Sequence, residues 1–151
     1  MTDIEALALV QDPDTSTEIL DTLADHANQF VRARLAAHVN TSSETLVKLS
    51  KDENGFIREF VAEHNNTPVQ TLLMLSNDDN LAVLYWIAGN PNTPIVVLNR
   101  FSEDEDEDLR SSVAVNPSTP SETLLLLSKD ENEDVREAVA KNPVIKAQTN
   151  V

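Results

Sequence analysis

The stretch that decides the fold is NPSTPSETLLLLSKDENEDVREAVAKNP, residues 116–143. Thr119, Pro120 and Glu122 carry the signature of a helix start. Thr is placed as N-cap, Pro at the first helical position, and Glu at N3, where it bonds back to the cap. Leu124 and Leu127 then share one face at i, i+3. After a polar run from Ser128, a second element covers about residues 133–141, with Val135 and Val139 on one face at i, i+4. Asn142-Pro143 closes it, because Asn tolerates a C-cap and Pro does not continue a helix. Strict alternation is absent and the connections carry helix signals, so strands are a poor fit.

Outward from this stretch the pattern returns every 26 residues. Thr recurs at Thr15, Thr41, Thr67, Thr93 and Thr119, and the Thr-x-x-Glu box at Thr15…Glu18, Thr41…Glu44 and, with Gln, Thr67…Gln70. Apolar columns run Leu20, Leu46, Leu72, Leu98, Leu124 and Leu23, Leu49, Leu75, Phe101, Leu127. Two more run Val31, Ile57, Val83, Leu109, Val135 and Leu35, Val61, Ile87, Val113, Val139. Ala36, Ala62, Ala88, Ala114 and Ala140 form a small-residue column that lets helices approach closely. Five copies in register predict an all-α solenoid of five to six repeats, each a capped α-helix plus a second short helix, α or 3₁₀. The expected organisation is one solenoid domain over residues 3–141 and a loose tail over residues 142–151. A lone unit buries too few apolar side chains to offset the ordering of its backbone, so neighbouring copies must supply the rest of the core.

The string Val135 to Pro143, together with Asn116 to Leu124 and Leu127 to Asp130, resembles the leucine-rich repeat variant family over about residues 12–143. The resemblance implies a right-handed superhelix of alternating α and 3₁₀ helices, the Thr-Pro-x-Glu element being α and the Val-Arg element 3₁₀. Some members are associated with a Cys-bound iron–sulfur segment. This chain has no Cys, so no such cofactor carries over. The family supplies no catalytic motif, and fold alone assigns no function.

Composition narrows the function classes. The chain of 151 residues carries 26 Asp and Glu against 11 Lys and Arg, a formal charge of -15. A DNA-binding surface or an anionic-membrane anchor needs the opposite sign. Absence of Cys excludes disulfides, Cys-ligated zinc and a Cys nucleophile. No apolar run reaches the length of a membrane span, and Met1 to Val10 lacks the basic region of a signal peptide. The expectation is a cytoplasmic protein with no membrane partner and no direct contact to nucleic acid.

The polar columns read as framework. Arg32, Arg58, Arg110 and Arg136 recur, with Leu84 breaking the series, and Asp52, Asp78, Asp104 and Asp130 recur beside them. Such repetition predicts an Arg–Asp ladder between turns rather than an anion site. His38 and His64 share the column of Asn90, Asn116 and Asn142. One solenoid step of about 10 Å separates them, too far for one metal ion. His26 stands alone. Ser50, Ser76, Ser102 and Ser128 are repeat positions without a nucleophile-elbow context. Asp104 to Asp108 begins like a calcium loop, but Leu109 and Val115 stand where that loop needs Gly and Glu. The sequence therefore predicts no catalytic, cofactor-binding or metal residues, and no enzyme.

Two departures from the repeat are more informative. Acids concentrate in the turns between the two helices of each unit, giving a predicted ridge of Asp78, Asp79, Glu103, Asp104, Glu105, Asp106, Glu107 and Asp108. In the middle copies Leu84 is followed by Tyr85 and Trp86, and the next capped helix carries Ile95 and Val96 where other copies are mostly polar. Tyr85, Trp86, Ile95 and Val96 are the predicted partner-binding patch. The competing reading folds Trp86 over the core. Function is expected to be protein–protein interaction, with a partner presenting a basic surface or with a second copy through the aromatic patch. The alternative is an acidic decoy that mimics DNA and occupies a nucleic-acid-binding protein.

Overall fold

The computed structural model describes residues 1–149, and the elements within them are α-helices. Six nine-residue helices recur at the 26-residue interval: α1 Asp3–Gln11, α3 Gln29–Ala37, α5 Gly55–Glu63, α7 Leu81–Gly89, α9 Glu107–Val115 and α11 Glu133–Lys141. Shorter helices alternate with them: α2 Thr17–Asp21, α4 Ser43–Leu49, α6 Val69–Leu75, α8 Ile95–Phe101 and α10 Ser121–Leu127. The long helices pack directly on one another in order, α1 on α3 through to α9 on α11, and form one layer of the solenoid. The short helices form the other layer.

The core lies between the layers. Leu20, Leu46, Leu72, Leu98 and Leu124 enter it from the short helices, and Val31, Ile57, Val83, Leu109 and Val135 from the long ones, all fully buried. Ala36, Ala62, Ala88 and Ala114 are also fully buried. Cutting one such Leu to Ala would cost about 2–5 kcal/mol, since a stacked helix collapses only partly into the void.

Three expectations are corrected. First, the second element, which the repeat left open between α and 3₁₀ and the resemblance implied to be 3₁₀, is an α-helix in each unit. Nine residues support an i→i−4 ladder, whereas 3₁₀ runs beyond three or four residues are unfavourable. Three-residue bonds occur at the tips, as in Ile57 N to Asn54 O at 3.0 Å.

Second, the recurring Thr is not the N-cap. The short helices start one residue later, with Ser16, Ser42, Pro68, Pro94 or Pro120 at the cap, and only Ser42 makes a side-chain cap bond. Thr67 instead donates its hydroxyl back to Val61 O at 2.5 Å, and Thr119 to Val113 O at 2.6 Å. It thus adds a second hydrogen bond to a last-turn carbonyl of the preceding long helix, which also accepts the amide of the C-cap residue, as Val61 O does from His64 N. A true capping box exists elsewhere, at Thr2 and Glu5.

Third, the loose tail is helical: α12 spans Pro143–Thr149. Pro143 is tolerated at a helix start. Val144 donates to Asn142 Oδ1 at 2.9 Å, and Val144 and Ile145 lie against the core cluster. The expected tail residues 150 and 151 lie outside the described residues.

Candidate functional site

Most polar repeat positions are used inside the frame. The His/Asn column caps the long helices and ties each repeat to the one before. His64 Nε2 lies 3.0 Å from His38 O, and His38 Nε2 lies 2.9 Å from Asp12 O. Asn116 Nδ2 donates to Asn90 O at 2.9 Å and Asn142 Nδ2 to Asn116 O at 2.9 Å. The other end of each side chain accepts from the main chain two residues on, as with Asn66 N to His64 Nδ1 at 3.0 Å. An Nδ1 facing an N–H must accept, so Nε2 carries the ring hydrogen. Ser50, Ser76, Ser102 and Ser128 each donate to the carbonyl three residues back. Among the described residues no buried side-chain polar atom lacks a partner, and no cluster of three His, Asp or Glu could hold a metal ion.

The Arg and Asp columns form the expected ladder. Arg58 reaches Asp78 through Nε at 2.7 Å and through its second guanidinium nitrogen at 2.9 Å. Arg32–Asp52 and Arg110–Asp130 repeat this two-pronged pairing. The remaining guanidinium nitrogen of Arg58 donates to Asp52 O at 2.9 Å and Glu53 O at 3.2 Å, so one Arg staples two turns. Burial pushes the Asp78 carboxyl up, but the hydrogen bonds from Arg58 and from the Asn80 amide outweigh it and hold the group below the ordinary carboxylate range. Asp52 is held down by the same balance, and Asp130 chiefly by its Arg110 bond. His26 occupies the Asp position of the first copy, and its Nδ1 accepts from Asn28 N at 3.2 Å as Asp78 accepts from Asn80 N at 2.9 Å.

At Leu84 the ladder stops. Asp104 has no guanidinium and is exposed. Tyr85 makes a different tie: its hydroxyl lies 3.1 Å from both carboxylate oxygens of Asp106, the N-cap of α9. Burial and that carboxylate push the Tyr85 phenol up to about 12. The predicted acidic ridge therefore divides. Asp78, with its side chain 8% exposed, is spent on Arg58, and Asp106 is half-buried at its cap, whereas Asp79 is 96% exposed. Glu103, Asp104, Glu105, Glu107 and Asp108 all face solvent. Part of this acid has a local reason, since Glu107 and Asp108 stand in the first turn of α9, at the positive end of its dipole.

The four residues of the predicted patch do not form one surface. Trp86 is 43% exposed on the outward side of α7, whose inward side is Val83 and Ile87. Ile95 and Val96 are exposed on α8, outward of buried Val97 and Leu98 in the other layer. The outward sides of two stacked layers face opposite ways, so these two belong to the reverse surface. Tyr85 is half-buried at the edge, committed to Asp106. The aromatic residue of the adjacent long helix comes instead from α5. Phe60 stands one repeat earlier in the same column and is partly exposed, and Phe56 and Phe30 are 69% and 66% exposed one turn away.

No protein-family model and no curated protein sequence matches the chain. A solved structure described as a leucine-rich repeat variant with a novel repetitive protein structural motif is similar, at 28% identity and a TM-score of 0.63. The likeness covers 90% of this chain but only 60% of that one. The leucine-rich-repeat-variant fold read from the repeat is the fold of this chain. No helix among the described residues is long and apolar enough to cross a membrane.

Proposed function

We propose that this chain, a leucine-rich-repeat-variant solenoid, is a non-enzymatic protein-interaction module that works in the cytoplasm on a partner with a basic surface. The observation that carries this reading is Trp86, 43% exposed on a frame whose repeating polar groups are otherwise engaged internally. A solenoid presents its binding residues where the repeat is broken on the outside, and exposed Trp is the side chain most enriched at binding hot spots. Engagement of the Ser and His columns in main-chain bonds supports a framework role for them and argues against nucleophile or base.

The test is affinity capture from the native host at low and high salt, followed by reconstitution of each retained protein from purified components. A partner held through the aromatic side survives high salt and is lost with Trp86→Ala, which should cost about 2 kcal/mol of association. Equal retention by the variant would count against the reading. Trp86 is the only Trp, so its emission in the chain alone reports self-association directly. A blue shift that grows with concentration would assign the contact to a second copy.

The decoy reading keeps one specific support, the exposed acids Glu103, Asp104, Glu105, Glu107 and Asp108, none of which makes an ion pair among the described residues. It requires that the retained partner be a nucleic-acid-binding protein, be released by moderate salt and be indifferent to Trp86→Ala.

A further inference from the structure

The outward side of the long-helix layer changes character halfway along. From α3 to α11 the first-turn pair of each long helix reads Gln29-Phe30, Gly55-Phe56, Leu81-Ala82, Glu107-Asp108 and Glu133-Asp134, after Asp3-Ile4 in α1. In the column one turn on, Arg34, Phe60 and Trp86 are followed by Ser112 and Ala138. Among the long helices α3, α5 and α7 have no acid in their first turn and α9 and α11 have two each, while the two of α1 are engaged locally, Asp3 by Asn28 and Glu5 in the Thr2 capping box. Glu107, Asp108, Glu133 and Asp134 are exposed, and none makes an ion pair among the described residues. The apolar half is also indented. One shallow cleft is lined by Ala37, Val39 and Phe60, another by Trp86, Gly89 and Pro91, and the two meet at Glu63 and Asn65.

We infer that this face is a single two-part docking surface for a peptide segment of another protein, in which apolar side chains lie over Phe56, Phe60 and Trp86 and an adjoining Lys/Arg cluster lies over Glu107, Asp108, Glu133 and Asp134. The inference rests on the interaction-module reading and specifies its partner. Charge complementarity names the occupant: the acids repel nucleic acid and anionic lipid, and the apolar half has no use for a purely basic chain. A second copy is a poor match, because its own surface has the same acidic excess of 26 against 11 basic residues. Dimensions agree with a helical segment. Three helices spaced by about 10 Å make an apolar half about 20 Å across, which about 13 residues of an α-helix span. The basic cluster would then follow at one end, over the next two long helices.

The probe is a library of random linear peptides displayed on phage and selected against the intact chain. Enriched sequences should carry aromatic or large aliphatic residues at helical spacing beside a run of Lys or Arg. A fluorescent peptide made from them should bind Phe56→Ser/Trp86→Ser at least about tenfold more weakly, as hot-spot truncations do. It should lose most of its salt dependence against Glu107→Gln/Asp108→Asn/Glu133→Gln/Asp134→Asn, and bind Ile95→Ser/Val96→Ser unchanged. All substituted positions are solvent-exposed, and an unchanged helical signal and melting midpoint confirm folding. Basic peptides without apolar residues, indifferent to the loss of Phe56 and Trp86, would overturn the inference in favour of the decoy. Peptides lost only with Ile95→Ser/Val96→Ser would overturn it while leaving the module reading intact. Failure to enrich, with a dimer that protects Trp86, gives the face to a second copy. Failure to enrich without a dimer removes both readings.

Discussion

Arg58 and Leu84 occupy the same position in successive repeats, and the carboxylates one turn along the stack meet different fates. Asp78 is drawn under the Arg58 guanidinium with its side chain 8% exposed. Asp104, in the same column, has Leu84 in place of Arg and stays in solvent. The acid is the same residue type in the same turn. What separates a structural carboxylate from an available one is a single cation 20 residues earlier in the chain. The weaker joint is not left bare, because Tyr85 reaches across to Asp106 at 3.1 Å. Between the Arg58–Asp78 and Arg110–Asp130 rungs the ladder thus gives way to a hydroxyl–carboxylate tie and a cluster of exposed acids.

The sharpest way to break this comparison is Arg58→Leu, which reproduces the Leu84 joint without a Tyr-to-Asp tie. It strands Asp78 in a site shaped for a guanidinium and should lower unfolding stability by about 3 kcal/mol, read as a shifted urea midpoint. Arg136→Leu is the control. Arg136 bonds only the carbonyls of Asp130 and Glu131, so its loss should cost about 1 kcal/mol. Equal losses in the two variants would mean that the ladder pair adds nothing to the main-chain staples.

Acid separates the two joints next. The folded Asp52, Asp78 and Asp130 carboxyls sit below the ordinary range. Their contribution is therefore complete above the unfolded value of about 4 and fades as pH falls through the lowered folded values. Urea midpoints measured from about pH 5 down to about pH 2 should fall more steeply for the natural chain than for Arg58→Leu, which has one fewer depressed carboxyl. Parallel curves would contradict the pairing at Asp78.

The reverse substitution sharpens the contrast. Leu84→Arg should draw Asp104 into the ladder and raise stability by about 1 kcal/mol, with hydrogen exchange slowed at the α7–α9 joint. Loss of stability would show that this joint is packed around Leu84 and does not merely lack a cation.

The smallest effect belongs to Tyr85. Tyr85→Phe should cost about 0.5–1 kcal/mol, a typical net value for one hydrogen bond. Its phenol is raised to about 12 in the fold, so the tie is complete below the ordinary value of about 10 and is lost as pH rises through about 12. It is the only Tyr in the chain, so near-ultraviolet absorbance follows its ionisation directly. Ionisation near the ordinary value would remove the Asp106 contact from the account.

The helix count and the core were legible because period and apolar columns report burial directly, as Leu72 and Ile57 do. The Thr column was misread because a Thr before Pro and Glu satisfies either of two unpaired ends. Sequence shows the donor but not whether it serves the helix ahead or the helix behind. Burial of Thr67 beside Val61 O decides for the latter. The patch was misread for a related reason. Trp86 and Ile95 are nine positions apart, yet one turn of chain carries them to opposite layers. The fate of each acid was invisible until its Arg was placed.

The rungs from His38, His64, Asn90, Asn116 and Asn142 each need only a main-chain carbonyl from the unit before, a group that every amino acid supplies. The joint is therefore indifferent to the sequence it attaches to. A chain built this way can gain or lose a whole unit of 26 residues and still close every rung. A slip of one codon within a unit moves the capping residue off its carbonyl. Copy number is free to drift while spacing is held fixed, and surface residues can diverge from unit to unit without disturbing the thread that joins them.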